Sequence, residues 1–334
     1  MTTFTNTPAT PLRLSVNHSL RQAWATNRLL TMSALLHVAL IPLVLLAAVV
    51  DPKTIMGQPA WIKPLKFAIS ISVYSFTFLW LLSYVQGFDR AKRIAANTTA
   101  VAFLVESIII IGQVVRGTTS HFNNTTPFDA ALYQIMGGFI TLVAMADLLV
   151  AIVLIRQRLP DRAFTWSLRL GVLLAFVGMA VAFLMTSGPT PEQRARMEAG
   201  EIVTSIGAHS VGVEDGGPGL PLLGWSTEGG DLRVPHFVGL HGLQLLPFVG
   251  WLLTRPALRR RLPAAHRLLL VWIAGLGYLG LTILFTWQAL RGQSIVAPDF
   301  VTWRAFGVLL GSVVLASGAT WLHGRGQGTP TTSV

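Results

Sequence analysis

Residues 29–50 read LLTMSALLHVALIPLVLLAAVV, 22 residues with no Asp, Glu, Lys or Arg among them. Wound as an α-helix at ~1.5 Å per residue, the run is about 33 Å long, enough to cross the ~30 Å hydrocarbon core of a bilayer. It exceeds the core of a signal peptide, so it is expected to be an uncleaved first span behind a polar cytoplasmic segment, 1–28. Similar runs recur at 66–86, 95–115, 130–155, 165–186, 234–254, 268–290 and 302–322. Backbone groups in lipid need partners within their own segment, so each run must be helical. The sequence therefore predicts an all-α integral membrane protein of eight transmembrane helices.

Composition agrees. Of 334 residues, 52% are hydrophobic and 12% charged, about half the charged share of a soluble domain. The net charge of +11 would suit nucleic acid. The basic residues lie at helix ends, however, so no nucleic-acid partner is expected. With the N-terminus inside, 16 of the 25 Lys and Arg fall in cytoplasmic segments, which selects cytoplasmic N- and C-termini in a bacterial inner membrane. The absence of cysteine excludes disulfides, thiolate ligands, thiol catalysis and covalent haem attachment.

The connections are unequal. Those assigned inside are short and basic. Outside lie 51–65, 116–129 and a long loop, 187–233, whose Trp225 and leucines among glycines and prolines predict an ordered lid. The tail, 323–334, is rich in Gly, Thr and Ser and is expected to be disordered. A short pattern occurs twice. Gln113, Arg116 and Gly117 close the third span, with Pro127 and Asp129 following; Gln288, Arg291 and Gly292 close the seventh, with Pro298 and Asp299 following. This predicts two parallel four-helix halves, 29–155 and 165–322.

Polar residues inside spans are costly and mark function. Glu106 sits mid-span, about 15 Å along the helix from Arg116 at ~1.5 Å per residue. It is the leading catalytic candidate, as proton relay, general acid/base or ligand. Gln113 shares its face. Asp147, in the fourth span, is a second acid that suits either function or a helix–helix bond. His236 and His241 lie in RVPHFVGLHGLQ, with Gln244 one turn beyond His241. At 100° per residue the two rings point about 140° apart, so one ion cannot easily take both. His241 is the second catalytic candidate and a metal or haem ligand, with His236 and His121 as further metal ligands. His37, within the first span, reads more readily as a packing residue. Lys63 and Lys66, in WIKPLKF, and Arg116 could hold an anionic group such as a lipid phosphate or haem propionate; snorkelling explains them equally. His121 and His209 lie in outer loops beside Asn, Asp and Glu residues that make a small polar site possible. No phosphate-binding glycine loop, zincin motif or nucleophile elbow occurs.

The phrases WIKPLKFAIS, RGTTSHFNNTTPFD and EDGGPGLPLLGWSTEGGDLRVPHFVGLHGLQ resemble those of a group of multi-pass bacterial membrane proteins with no established activity. A looser, architectural similarity is to haem A synthase. It implies two parallel four-helix halves, an outer-side glutamate and histidine-ligated haem, for which Glu106 and His241 are the matching positions. This chain lacks that family's histidines within the fourth and eighth spans and its Glu-x-x-His signature.

These readings lead to a membrane-embedded oxidoreductase or metal-assisted enzyme. It would act near the extracytoplasmic face on a hydrophobic small molecule (a lipid, quinone or haem) with haem b or a transition metal as cofactor. A proton- or ion-coupled transporter without cofactor is the alternative, and a structural or sensory subunit a third. Membrane lipids are expected partners, with a homo-oligomer or a membrane complex possible.

Overall fold

The computed structural model describes residues 16–157 and 159–327; Arg158, the first 15 residues and the tail from 328 lie outside it. Every apolar run forms an α-helix, and eight helices are long and apolar enough to cross a membrane. They are α2 (Arg28–Val50), α3 (Ile62–Leu82), α4 (Asp89–Arg116), α5 (Pro127–Arg156), α6 (Arg162–Met185), α8 (Arg233–Leu253), α10 (Ala264–Leu290) and α11 (Phe300–Gly326). Three short helices complete the set: α1 (Val16–Thr26), α7 (Pro191–Glu198) and α9 (Pro256–Arg261). α11 continues through Gly326, four residues into the segment expected as a disordered tail.

Local chemistry sets the ends. Asn27, Thr126, Asp161 and Asp299 each accept a hydrogen bond from a backbone N–H of the first turn they precede. At the other end of α5, Arg169 donates to three terminal carbonyls, Leu154 O at 2.9 Å, Ile155 O at 3.0 Å and Gln157 O at 2.8 Å. These acceptors would otherwise be orphaned, and the contact ties α5 to α6.

The connections 51–61, 117–126, 186–232 and 291–299 gather at one end, here the long-loop end; the opposite end is rich in arginine. Two hairpins stand at the long-loop end. β1 (Thr54–Ile55) pairs with β2 (Gln58–Pro59) through a turn with positive φ at Met56 and Gly57, and β3 (Ser210–Val211) pairs with β4 (Gly230–Asp231).

Helix neighbours follow one pattern twice. α2 packs on α3 and α4, α3 on α4, and α4 on α5; α6 packs on α8 and α10, α8 on α10, and α10 on α11. α5 against α6, with a thin contact of α3 on α8, joins the two sets. The repeated sequence pattern is also a repeated structure. Gln113 Nε2 donates to the carbonyl six residues on, Thr119 O at 3.2 Å, as Gln288 Nε2 does to Ser294 O at 2.8 Å. Gly117 and Gly292 have φ +77° and +69°, and the next amide returns to the glutamine carbonyl in both (3.0 and 3.2 Å). Arg116 then binds Asp129 at 2.5 Å and Arg291 binds Asp299 at 2.6 Å, each at the start of the next helix.

The tightest helix pair is α6–α8, where backbone meets backbone. A Cβ placed on Gly178 would lie 2.5 Å from Leu240 N, and one on Gly239 2.5 Å from Gly178 Cα. Small residues allow such approach, and packing replaces hydrophobic drive inside a bilayer. A Gly178→Leu variant should lower thermal stability in detergent by more than about 2 kcal/mol, the upper part of the overpacking range. Gly112, with open space where its Cβ would be, should accept leucine with no measurable shift. Equal melting temperatures for both variants would contradict this packing.

Candidate functional site

The first turn of α3 places Lys63 at the long-loop end, with Nζ 3.1 Å from His121 Nδ1. Ser120 Oγ lies 3.1 Å from the same nitrogen. The His121 ring packs against Phe67, Phe122 and Tyr133, with centroids 5.9, 6.3 and 6.4 Å away. Phe122 is buried and has φ +58°, unusual for a bulky residue, and its ring meets His209 edge-on at 4.8 Å.

The long loop 186–232 closes over this group. Its backbone runs along 122–124, with Ile206 N donating to Phe122 O at 3.0 Å and Asn124 N to Thr204 O at 2.7 Å. Gly207 is required there: a Cβ would stand 2.6 Å from Met185 O and 2.8 Å from Phe122 Cδ1, at φ +97°. The loop delivers a dyad. His209 Nδ1 lies 2.7 Å from Asp215 Oδ2, and the same carboxylate accepts the backbone N–H of His209 and of Ser210, the latter at 2.8 Å. The remainder of the loop is pinned to both sets of helices, Lys66 donating to Leu223 O at 2.9 Å and Ser294 to Ser226 O at 3.0 Å.

Glu106, on α4, is 1% exposed. Neither of its carboxylate oxygens has a hydrogen-bond partner among the described residues. Lys63 acts on it electrostatically, and Lys63 in turn feels Lys66, Arg233 and Asp215. Lys63 is thus the hub of a charged cluster drawn from five separated stretches of chain. At its rim, Arg233 is bonded to Asp231 at 2.6 Å and to Gly224 O at 2.5 Å.

Burial pushes the His121 imidazole well below its ordinary value, and the neighbouring Lys63 adds to the push. Burial also lowers His209, against the opposing pull of Asp215. Burial would raise Asp215, but its bonds from the His209 ring and from the two backbone amides hold it well below the usual carboxylate range. Near neutral pH the dyad is therefore a neutral imidazole against a carboxylate. That bond keeps the His209 proton on Nδ1 and leaves Nε2 with a free lone pair. Lys63 and Ser120 donate toward His121 Nδ1, which puts the His121 proton on Nε2. The His209 ring can take a proton on Nε2, and the His121 Nε2–H can donate a hydrogen bond.

Of the residues expected from the sequence, Lys63, Glu106 and His121 come together here. His236 stands nearby, but its Nδ1 is 2.8 Å from Gly178 O on α6. Lys66 belongs to the loop anchor, and Gln113 and Arg116 to the α4 cap. His241 and Gln244 are elsewhere. His241 is exposed, with Nδ1 3.3 Å from Gln244 Oε1, and Gln244 Nε2 reaches Thr77 Oγ1 at 3.4 Å. α8 packs on α6, α10 and, thinly, α3, whereas α4 packs on α2, α3 and α5, so the expected pairing of His241 with Glu106 does not form. His209 and Asp215, which the sequence offers only as part of a possible small polar site, form its best-defined pair. Their signal is an imidazole and a carboxylate six residues apart across a glycine turn, HSVGVED.

Among the described residues, no group of three or more His, Asp or Glu side chains is disposed to hold a metal ion. Both ring nitrogens of His37 are taken, by Ser33 O and Ser107 Oγ at 2.7 Å each.

Because folded His121 and His209 resist protonation, an unfolded chain binds more protons than the folded one just below about pH 6.5. Their contribution to stability is complete above that value and is lost as pH falls. Hydrogen exchange of amides 204–211, corrected for intrinsic rates, should therefore speed up from about pH 7 to pH 5, and less so in His209→Gln. A flat profile would contradict the burial of these rings. No family model, curated protein or solved structure matches the chain.

Proposed function

We propose that this protein is an enzyme of a bacterial cytoplasmic membrane that performs acid–base chemistry on a hydrophobic substrate reached from the extracytoplasmic leaflet. The observation that carries this reading is the His209–Asp215 dyad closed over Lys63, His121 and Glu106. A carboxylate that orients a neutral imidazole and stabilises its protonated form is the arrangement a general base needs. His209 Nε2 accepts the proton, the Lys63 amino group donates a hydrogen bond to developing negative charge, and Glu106 returns or removes a proton at the inner wall. A lipid or a quinone, with a polar head and an apolar body, fits a centre bounded by α3, α4 and an ordered loop. The donor set favours proton transfer over haem or metal ligation.

Two structural proposals accompany this one. The arginine-rich end faces the cytoplasm, with both termini there, because 16 of 25 basic residues fall on that side. The two helix sets are parallel halves built from one four-helix unit, supported by their shared neighbour pattern and by the matching caps at Gln113 and Gln288. One observation favours proton-coupled transport as a second reading: of the four buried acids among the described residues, the two with an unpartnered oxygen, Glu106 and Asp147, both lie on α2–α5.

The test uses purified protein in liposomes of a total bacterial lipid extract supplemented with quinone, with mass spectrometry before and after incubation. A converted lipid or quinone is expected. Its formation should fall by about 10²- to 10⁴-fold in His209→Ala and Asp215→Asn, the usual range for loss of a general base. His241→Ala should change it less than roughly threefold, the surface range for a residue outside the centre. Unaltered lipids, or equal turnover in His209→Ala, would refute the reading.

A further inference from the structure

Charge is not spread evenly over the arginine-rich end. No Asp or Glu occurs from 232 to 298 or from 300 to 334, so α8, α9, α10 and α11 bring no acid there. Residues 255–267 nevertheless hold Arg255, Arg259, Arg260, Arg261 and Arg267, and the last turn of α11 adds Arg325. Arg267 takes the one acid at hand, Asp161, at 2.6 Å. Among the described residues the other five make no ion pair, and all five are exposed. At the same end of the first set of helices, by contrast, Lys92 is paired with Asp89 at 2.8 Å.

A topology signal needs only net charge, which scattered and flexible side chains supply. This corner is fixed as well as charged. Arg259, Arg260 and Arg261 are consecutive in the last turn of α9, which has Pro256 at its start and Pro263 just beyond its end, each restricting φ. Leu262 between them is buried, and a Cβ on Gly324 would lie 2.9 Å from Leu262 Cδ2 and 2.9 Å from His266 Cγ, so the end of α11 sits on the turn from α9 to α10. His266 Nε2 and His323 Nδ1, 2.8 Å apart, close the same seam. Like charges held together repel, and a bound anion relieves that repulsion.

Next to the arginines the surface turns apolar. The Arg255 guanidinium lies over the Trp251 ring, 4.3 Å from its centroid, and Trp251 stacks on Phe248 with centroids 5.6 Å apart. Leu245, Phe248 and Leu252 share one exposed face of α8, leading away from the corner. Cationic groups above an apolar stripe match a phosphate above an acyl chain, and a free phosphate would use only the first of these.

We propose that the corner formed by α8, α9 and the adjoining ends of α10 and α11 binds an anionic phospholipid, with its phosphate held by Arg255 and the Arg259, Arg260 and Arg261 run and an acyl chain lying along Leu245, Phe248 and Leu252. Basic pockets between membrane helices are suited to acidic headgroups in this way. The site is separate from the cluster at the long-loop end, stands whichever way the chain faces, and is read without turnover.

The full chain in nonionic detergent is mixed with equal amounts of phosphatidylglycerol and phosphatidylcholine, and the lipids retained are counted by native mass spectrometry. Phosphatidylglycerol should be retained over phosphatidylcholine by at least about fivefold, the effect of a single arginine beside an acidic headgroup. Joint replacement Arg255→Gln, Arg259→Gln and Arg260→Gln should lower its retention by at least about tenfold, whereas joint Arg90→Gln and Arg93→Gln should stay within about twofold. If the triple variant does not fold, Arg260→Glu alone should lower retention by about fivefold or more. Phe248→Ser should lower retention too, and excess inorganic phosphate should leave the lipid bound. Equal retention of the two lipids, equal losses in the two sets of arginine variants, or complete displacement by inorganic phosphate would overturn the site.

Discussion

A polar group enclosed in a low-dielectric interior must meet another polar group or carry the cost of its lost hydration. This requirement sorts the charged residues of the chain. At the helix ends it is met by pairs: Arg116 with Asp129, Arg291 with Asp299, Arg233 with Asp231, and Arg267 with Asp161 at 2.6 Å. At the long-loop end it is met by a cluster, in which Lys63 is shared between His121 and the field of Glu106, and Asp215 is wrapped by His209 and backbone amides. Deeper in the first half it is met only in part, at Glu106 and Asp147. The gradient runs from charges fully met by partners to carboxyls with oxygens left unpartnered among the described residues.

The fold brings the cluster together from residues far apart in sequence. α3 and α4 supply Lys63 and Glu106, the turn after α4 supplies His121, and the long loop supplies His209 and Asp215. The backbone contact of α6 with α8 at Gly178 and Gly239 holds the two ends of that loop, and Phe122 at φ +58° sets the surface on which the His209 ring lies. Strained conformations persist only where surrounding structure determines them, and they gather at functional sites. The cross-links from the loop to 122–124, Lys66 and Ser294 supply that determination.

The eight helices were legible in the sequence because a bilayer imposes length and apolarity directly, and span starts differ most at α4, which begins at Asp89 rather than 95, and at α3 and α10, which begin at Ile62 and Ala264 rather than 66 and 268. The Gln-x-x-Arg-Gly pattern was legible as a repeat because each residue in it has a backbone task. Lys63, Glu106 and His121 were legible as misplaced polar groups. His241 was misleading for a physical reason. A helix apolar on all sides gives no sign of which face turns inward, so depth along α8 could be read but direction could not. His209 and Asp215 were obscured because a loop histidine in sequence looks solvated, and only the packing of the loop on Phe122 buries it. The Asp147–Tyr74 contact joins helices whose register no local pattern encodes.

His121 and His209 are neutral rings in opposite tautomeric forms, one offering an Nε2–H donor and one an Nε2 lone pair. Nitrogen-15 NMR of the histidine-labelled protein in lipid nanodiscs reads this directly, with His121→Gln and His209→Gln assigning the signals. Above pH 7 a neutral His209 protonated on Nδ1 and a neutral His121 protonated on Nε2 are expected. Two imidazolium signals, or the same tautomer on both rings, would contradict it.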